Sequence, residues 1–153
     1  MNSPLAQLRP ALAADVPTLK AIAAQAYQPY VARIGRKPAP MVADFARHVE
    51  AGEVIVAMIA SEVIGYLVGH HQGDTYFIEN VAVDPGHHGQ GIGGQLISAA
   101  ETAAQSAGHR RMQLYTNEKM TENLGLYPRL GFVETERRSE AGFNRVYFRK
   151  QLP

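Results

Sequence analysis

Apolar residues change their period along the chain, and the changes mark the elements. Residues 5–12, "LAQLRPAL", read as a first strand. Through 19–27, "LKAIAAQAY", apolar positions recur at helical spacing, with Asp15 placed to cap the helix and Pro17 suited to its first turn. Residues 28–41, "QPYVARIGRKPAPM", carry three prolines and a glycine and read as a loop. A short helix is predicted from about Val42 to Glu50, ended by Gly52. The period then shortens. "EVIVAMIA" and "VIGYLVGH" are β-rich runs separated by Ser61-Glu62, a hairpin pattern. "TYFIENVAV" is apolar on both parities apart from Glu79 and Asn80, so helices should cover both faces of its sheet. "GQLISAAETAAQSAG" is an Ala-rich helix with Leu96, Ile97, Ala100 and Ala104 on one stripe and Gly108 as its stop. "RMQLYT" reads as a strand, "TENLGLYPRL" as a helix stopped by Gly131, and "FNRVYFRKQL" as a closing strand.

Composition narrows the class. A length of 153 residues, 46% hydrophobic and 19% charged, fits one α/β domain with a real core spanning 1–153. No apolar run approaches the roughly 20 residues that span a bilayer, and "MNSPLAQLRP" lacks the form of a signal peptide. Cysteine is absent, which removes disulfides, a thiolate nucleophile and Cys-ligated zinc. The expectation is a cytoplasmic protein without a membrane partner. Net charge is +1, and the basic clusters "HRR" (109–111) and "RR" (137–138) form no stripe, so nucleic acid is not expected as a ligand.

The chemistry gathers at "VAVDPGHHGQGIGGQLI", residues 81–97. A strand, a glycine-rich turn and then a helix aim unpaired backbone N–H groups and the helix dipole at an anion. Gly89, Gly91, Gly93 and Gly94 would let that anion approach without Cβ atoms in its way. The plain alternative is a tight turn whose glycines serve only backbone conformation. Gly93-Gly94-Gln95 lacks the Lys and hydroxyl of a nucleoside-triphosphate loop. A dinucleotide fold would put the turn after the first strand rather than about the fourth.

Val81-Ala82-Val83-Asp84-Pro85 followed by His88-Gly89-Gln90-Gly91-Ile92-Gly93 resembles the acetyl-CoA signature of the GCN5-related N-acetyltransferases, Arg/Gln-x-x-Gly-x-Gly/Ala. "ENLGLYPRLGF", Glu122 to Phe132, resembles that family's second motif, and the element order matches along nearly the whole chain. The resemblance implies a mixed, mostly antiparallel sheet of about six to seven strands, open near the fourth and fifth and flanked by helices. It implies transfer of the acetyl group of acetyl-CoA to a primary amine by direct attack. The expected cofactor contacts are Val81, Ala82, Val83, His88, Gly89, Gln90, Gly91, Ile92, Gly93 and Gly94, with Asn123 on the pantetheine arm. Two departures stand out: His88 replaces the usual Arg or Gln, and Met120 stands where an Asn is common seven residues before the Tyr.

The same resemblance gives Tyr127 the general-acid position, to protonate the departing thiolate; a phenol with pKa about 10 holds its proton at neutral pH. Glu79 is the carboxylate in an otherwise apolar strand, read either as general base or as a Glu at a splayed strand end paired to a nearby Arg or Lys. Asn80 is read as pointing the other way, in a structural role, and Asn117 as a turn residue. Substrate selection is expected from Tyr27, Tyr30 and Arg33, Arg33 suiting a carboxylate; the competing reading has Tyr27 in the core and the arginines solvated. The adjacent pairs His70-His71 and His87-His88 make no ready chelate, so no metal is expected. A homodimer is possible, and a non-catalytic acyl-CoA sensor is the rival function.

Overall fold

The computed structural model describes residues 6–153. Leu5, placed above in the first strand, and the first residues of the N-terminal segment lie outside that range. Seven strands form one sheet: β1 (Gln7–Pro10), β2 (Val54–Ile59), β3 (Glu62–Gln72), β4 (Thr75–Val83), β5 (Arg111–Asn117), β6 (Val133–Glu140) and β7 (Phe143–Gln151). Their order is β1-β2-β3-β4-β5-β7-β6, antiparallel throughout except where β4 meets β5 in parallel. Among the described residues four α-helices flank the sheet: α1 (Val16–Ile34), α2 (Phe45–Glu50), α3 (Ile92–Ser106) and α4 (Thr121–Arg129).

The helices cover the sheet on both sides, as the apolar runs require. Leu19, Ile22, Ala23 and Tyr27 of α1, with Phe45 of α2, pack on Val54, Val56, Tyr66 and Val68. Leu96, Ile97, Ala100 and Ala104 of α3 pack on Ile64, Leu67, Ile78 and Leu114 across the opposite face. The central strand β3 is therefore buried continuously from Ile64 to Gly69.

Four sequence expectations are corrected. The predicted loop at 28–41 is helical as far as Ile34, with Pro29 inside α1; Tyr30 and Ile34 pack on the core there, which offsets the lost hydrogen bond. Gly35, at φ 87°, ends the helix by donating to the Val31 carbonyl at 2.8 Å. Asp15 does not cap α1 with its side chain, because its carboxylate accepts from Arg9 at 2.8 Å and from the Leu12 amide at 2.7 Å. The short helix begins at Phe45 rather than Val42, where Asp44 caps it by accepting from the Arg47 amide. The hairpin turns on Ala60 and Ser61, both left-handed at φ 51° and 69°, one residue earlier than expected. In addition β6, "VETERRSE", carries no apolar alternation: it is an edge strand with seven of its eight residues exposed.

Candidate active site

The site begins where the sheet comes apart. β4 and β5 pair only from Thr75–Arg111 to Ile78–Leu114, after which β4 runs on to Val83 alone and β5 keeps pairing with β7 as far as Asn117. A bulge explains the divergence. Gly69 faces Ile78 and Val68 faces Asn80, so Glu79 is an extra residue in β4. The bulge reverses which parity faces which helix layer: Ile78 packs on the α3 side, Ala82 on the α1 side. Glu79 and Asn80 consequently lean to the same side, correcting the reading that Asn80 points away from Glu79. Asn80 is structural, its Oδ1 accepting from the Tyr27 hydroxyl at 3.1 Å and the Tyr66 hydroxyl at 2.9 Å.

Past the bulge, the open edge of β4 is polar. The Val81 carbonyl accepts from Tyr27 at 2.8 Å and the Val83 carbonyl from His88 Nε2 at 2.9 Å, whereas the following Asp84 amide returns to Ile64 of β3. A strand residue's N–H and C=O share a side, so the N–H groups of Val81 and Val83 face the opening too. Beyond them the amides from Gly89 to Gly94 have no acceptor among the described residues. Gly89 and Gly91 sit at φ 80° and 78°, and Gly91 leads into α3. This row of donors fits the thioester arm and pyrophosphate of a coenzyme A, with the α3 dipole behind it.

An open cleft lies over that row. Its lining includes Val81, Ala82, Val83, His88, Gly89, Gly91, Ile92, Gly93 and Gly94 from the expected set, and Tyr30, Asn123 and Tyr127 from the helices. Gln90 is not among them; its Oε1 is buried without a partner. His88 lines the cleft but gives its Nε2–H to the strand edge, which its place among the expected cofactor contacts did not foresee. Arg129, two residues after Tyr127, brings a cation to the cleft that the sequence reading passed over.

Next to the cleft lies a second, smaller cavity, lined by Glu79, Asn80, Tyr115, Asn117, Phe143 and Arg145, with Pro38 and Pro40 among the remaining wall residues. The Arg145 guanidinium stacks on Tyr115 at 4.3 Å and pairs with Glu140 at 3.0 Å. Tyr115, Phe143 and Arg145 were not anticipated, because sheet order alone brings β5 and β7 to this wall. Asn117 accepts from the Lys119 amide, the turn role expected of it.

Tyr27, Val81, Asn123 and Tyr127 line both cavities. Tyr127 is 5% exposed, held against Phe132 and Phe148, and burial pushes its phenol well above the ordinary value, so it remains a proton donor. Asn123 donates to Thr116 Oγ1 at 3.1 Å. Glu79 is half-buried, 3.5 Å from His48 Nε2 and 3.8 Å from His70 Nε2. Its nearest basic neighbours are histidines, where the pairing alternative had looked to Arg or Lys.

The residues expected to select substrate are dispersed. Tyr27 is in the core, its hydroxyl engaged by Val81 and Asn80. Tyr30 donates to Glu122 at 2.8 Å, and Arg33, stacked on Tyr30 at 5.0 Å, pairs with Glu122 at 3.0 Å. This clamp ties α1 to α4 beside the larger cleft; Arg33 lines neither cavity and its charge is already met. The Tyr30 hydroxyl, then the residue's own backbone amide and the Arg33 guanidinium, hold the Glu122 carboxyl below the usual carboxylate range.

Solved structures share this arrangement of elements. The PaiA N-acetyltransferase from Thermoplasma acidophilum, in complex with coenzyme A, is similar with TM-score 0.78 and 15% identity, over 95% of this chain and 98% of that one. The ribosomal-protein-S18-alanine N-acetyltransferase from Escherichia coli gives TM-score 0.77 and 17% identity over 97% and 94%. Nourseothricin acetyltransferase matches with TM-score 0.62 and 22% identity over 65% of this chain, which spans only 65% of its length. At such identities these likenesses speak for the fold. The family rests on a sequence model described as the acetyltransferase (GNAT) family, which matches residues 19–132 and takes in the open strand edge, the glycine turn and Tyr127. By that match the chain belongs to the GNAT family of acetyltransferases.

Proposed function

We propose that this acetyltransferase moves the acetyl group of acetyl-CoA onto a primary amine by direct attack in a ternary complex, within one domain. One observation carries the reading: the cleft over the glycine turn and the cavity beside Glu79 share Tyr27, Val81, Asn123 and Tyr127 in their walls. Two reactants, one in each, would meet at those residues, so no acyl-enzyme is needed. The amides of residues 89–94 hold the pyrophosphate, and Arg129 adds a cation beside it. The Val81 and Val83 amides hold the pantetheine arm and polarise the thioester carbonyl by fixed dipoles. Asn123 sits beside that arm, Glu79 accepts the amine's proton, and Tyr127 gives one to the departing thiolate.

The acceptor is a small metabolite, an amino-acid derivative or a peptide amine. A pure acyl-CoA sensor would have no use for the second cavity, which argues for catalysis. Thiol release from acetyl-CoA with a panel of amines tests the proposal, and the absence of cysteine leaves no background. Amine-dependent release should slow about 100-fold in Tyr127→Phe, with the KM for acetyl-CoA changed less than about twofold. Unaltered turnover in that variant would remove Tyr127 as the acid. Failure to bind acetyl-CoA would sink the reading of the glycine turn.

A further inference from the structure

Behind the acceptor cavity, Glu53, His48 and Glu79 stand in a row. His48, on α2, is 5% exposed. Its Nδ1 lies 2.8 Å from Glu53 Oε1 and its Nε2 3.5 Å from Glu79 Oε2. Backbone bonds fix the row: the Glu53 amide donates to the His48 carbonyl at 3.0 Å, and the Glu53 carbonyl accepts from Gly69 at 2.9 Å, beside the bulge that presents Glu79. A carboxylate on Nδ1 requires the hydrogen there, which leaves the Nε2 lone pair facing Glu79. A proton placed between that lone pair and the Glu79 carboxylate is shared by both. The 3.5 Å separation suits a resting site, whose working hydrogen bonds are often long until substrate is bound.

We propose that His48 is the second proton acceptor of the acetyl-transfer site, positioned by Glu53 and fed by Glu79; this rests on the reading of Glu79 as the base. The reaction itself calls for two. An amine arriving as R–NH3+ loses one proton before attack, the N–H electron pair becoming the nucleophile's lone pair. Its nitrogen loses another after the N–C bond has formed and while the C–S bond breaks. Glu79 takes the first proton, passes it to the Nε2 lone pair, and as a carboxylate again takes the second. The imidazolium is balanced by Glu53. Tyr127 meanwhile protonates the thiolate, so the net change is R–NH3+ and acetyl-CoA to amide, HS–CoA and one H+. One acceptor-side proton restores Tyr127 and the other leaves past half-exposed Glu79.

His70 faces Glu79 from β3 at 3.8 Å, and Tyr115 lines the same cavity from β5. Among the described residues no carboxylate sits on the far nitrogen of His70, so nothing fixes its tautomer as Glu53 fixes that of His48.

The test compares turnover of 2-phenylethylamine and 2,2-difluoro-2-phenylethylamine, aromatic amines suited to the Tyr115 and Phe143 wall. The difluoro amine is far less basic, enters neutral and sheds only one proton. His48→Gln should lower kcat about 100-fold on the first amine and under about threefold on the second, at unchanged KM for acetyl-CoA. Glu53→Gln, the gentler substitution should His48→Gln not fold, should give the same pattern at smaller size. His70→Gln should give no such pattern. Equal losses on both amines, or none on either, would overturn the relay while leaving acetyl transfer intact. A wild type that binds acetyl-CoA yet acetylates no amine would sink the transferase reading and the relay with it.

Discussion

Asn80 shows how one side chain shapes the site through the groups it holds. Its carbonyl oxygen takes the buried hydroxyls of both Tyr27 and Tyr66, and its amide reaches the Pro40 carbonyl at 3.4 Å. Those bonds fix the strand immediately after Glu79, where the open edge begins. Replacing Asn80 with Ala leaves the Tyr66 hydroxyl orphaned, because Tyr27 retains the Val81 carbonyl. The expected loss in denaturant-measured stability is about 2 kcal/mol. Tyr66→Phe, which removes one donor and leaves Asn80 its other partners, should cost less, about 1 kcal/mol. Asn80 was legible only as a polar residue in an apolar run; its partners lie 53 and 14 residues away along the chain.

At the scale of elements, two turns make opposite demands on the chain. The β2–β3 hairpin holds Ala60 and Ser61 at positive φ, which suits glycine and asparagine better than either residue. Replacing the pair by Asn-Gly should raise stability by about 1 kcal/mol, measured by urea unfolding, with no change in turnover. The β4–α3 turn instead leaves its amides from Gly89 to Gly94 unpaired among the described residues. Gly93 lies in the first turn of α3, where an added Cβ would come no closer than 4.0 Å to Val83, so alanine fits the fold. Gly93→Ala should therefore stabilise the helix by about 0.5 kcal/mol. It should also raise the KM for acetyl-CoA roughly tenfold by placing a methyl group in the phosphate row. A variant that melts higher and binds as tightly as the wild type would show that Gly93 serves conformation alone.

The molecule as a whole answers to pH through its tyrosines. All seven lie above the ordinary phenol value, with burial the largest cause in each. Tyr30, the partly exposed one in the α1–α4 clamp, is pushed up to about 12. Above the unfolded value of about 10 the unfolded chain binds fewer protons than the folded one, so stability falls as pH rises. Below it this contribution is fully present. Melting temperature should hold from neutrality to about pH 9.5 and drop beyond about pH 10, with tyrosinate absorbance appearing together with unfolding. A tyrosinate signal completed at pH 10 in the folded protein would contradict that burial.

Local chemistry, which the sequence carries outright, determined the family, the glycine turn, the Ala-rich helix behind it and the helix that carries Tyr127. Positive φ, helix periodicity and an anion-binding helix start are properties of neighbouring residues, and neighbours are what a sequence displays. The strand that splits the sheet was also legible, down to its odd carboxylate. What only the tertiary structure decided is where that strand bends and what gathers around the bend. The bulge at Glu79 depends on its register with β3, and the wall of Tyr115, Phe143 and Arg145 depends on β7 lying between β5 and β6. The clamp of Tyr30 and Arg33 on Glu122 depends on α1 lying beside α4. Even the helical course of residues 28–34 went against local signals, because burying Tyr30 and Ile34 outweighs one missing hydrogen bond at Pro29. Pairing register and packing are contacts between distant residues, fixed by the energy of the assembled sheet and helices, so a local pattern does not display them.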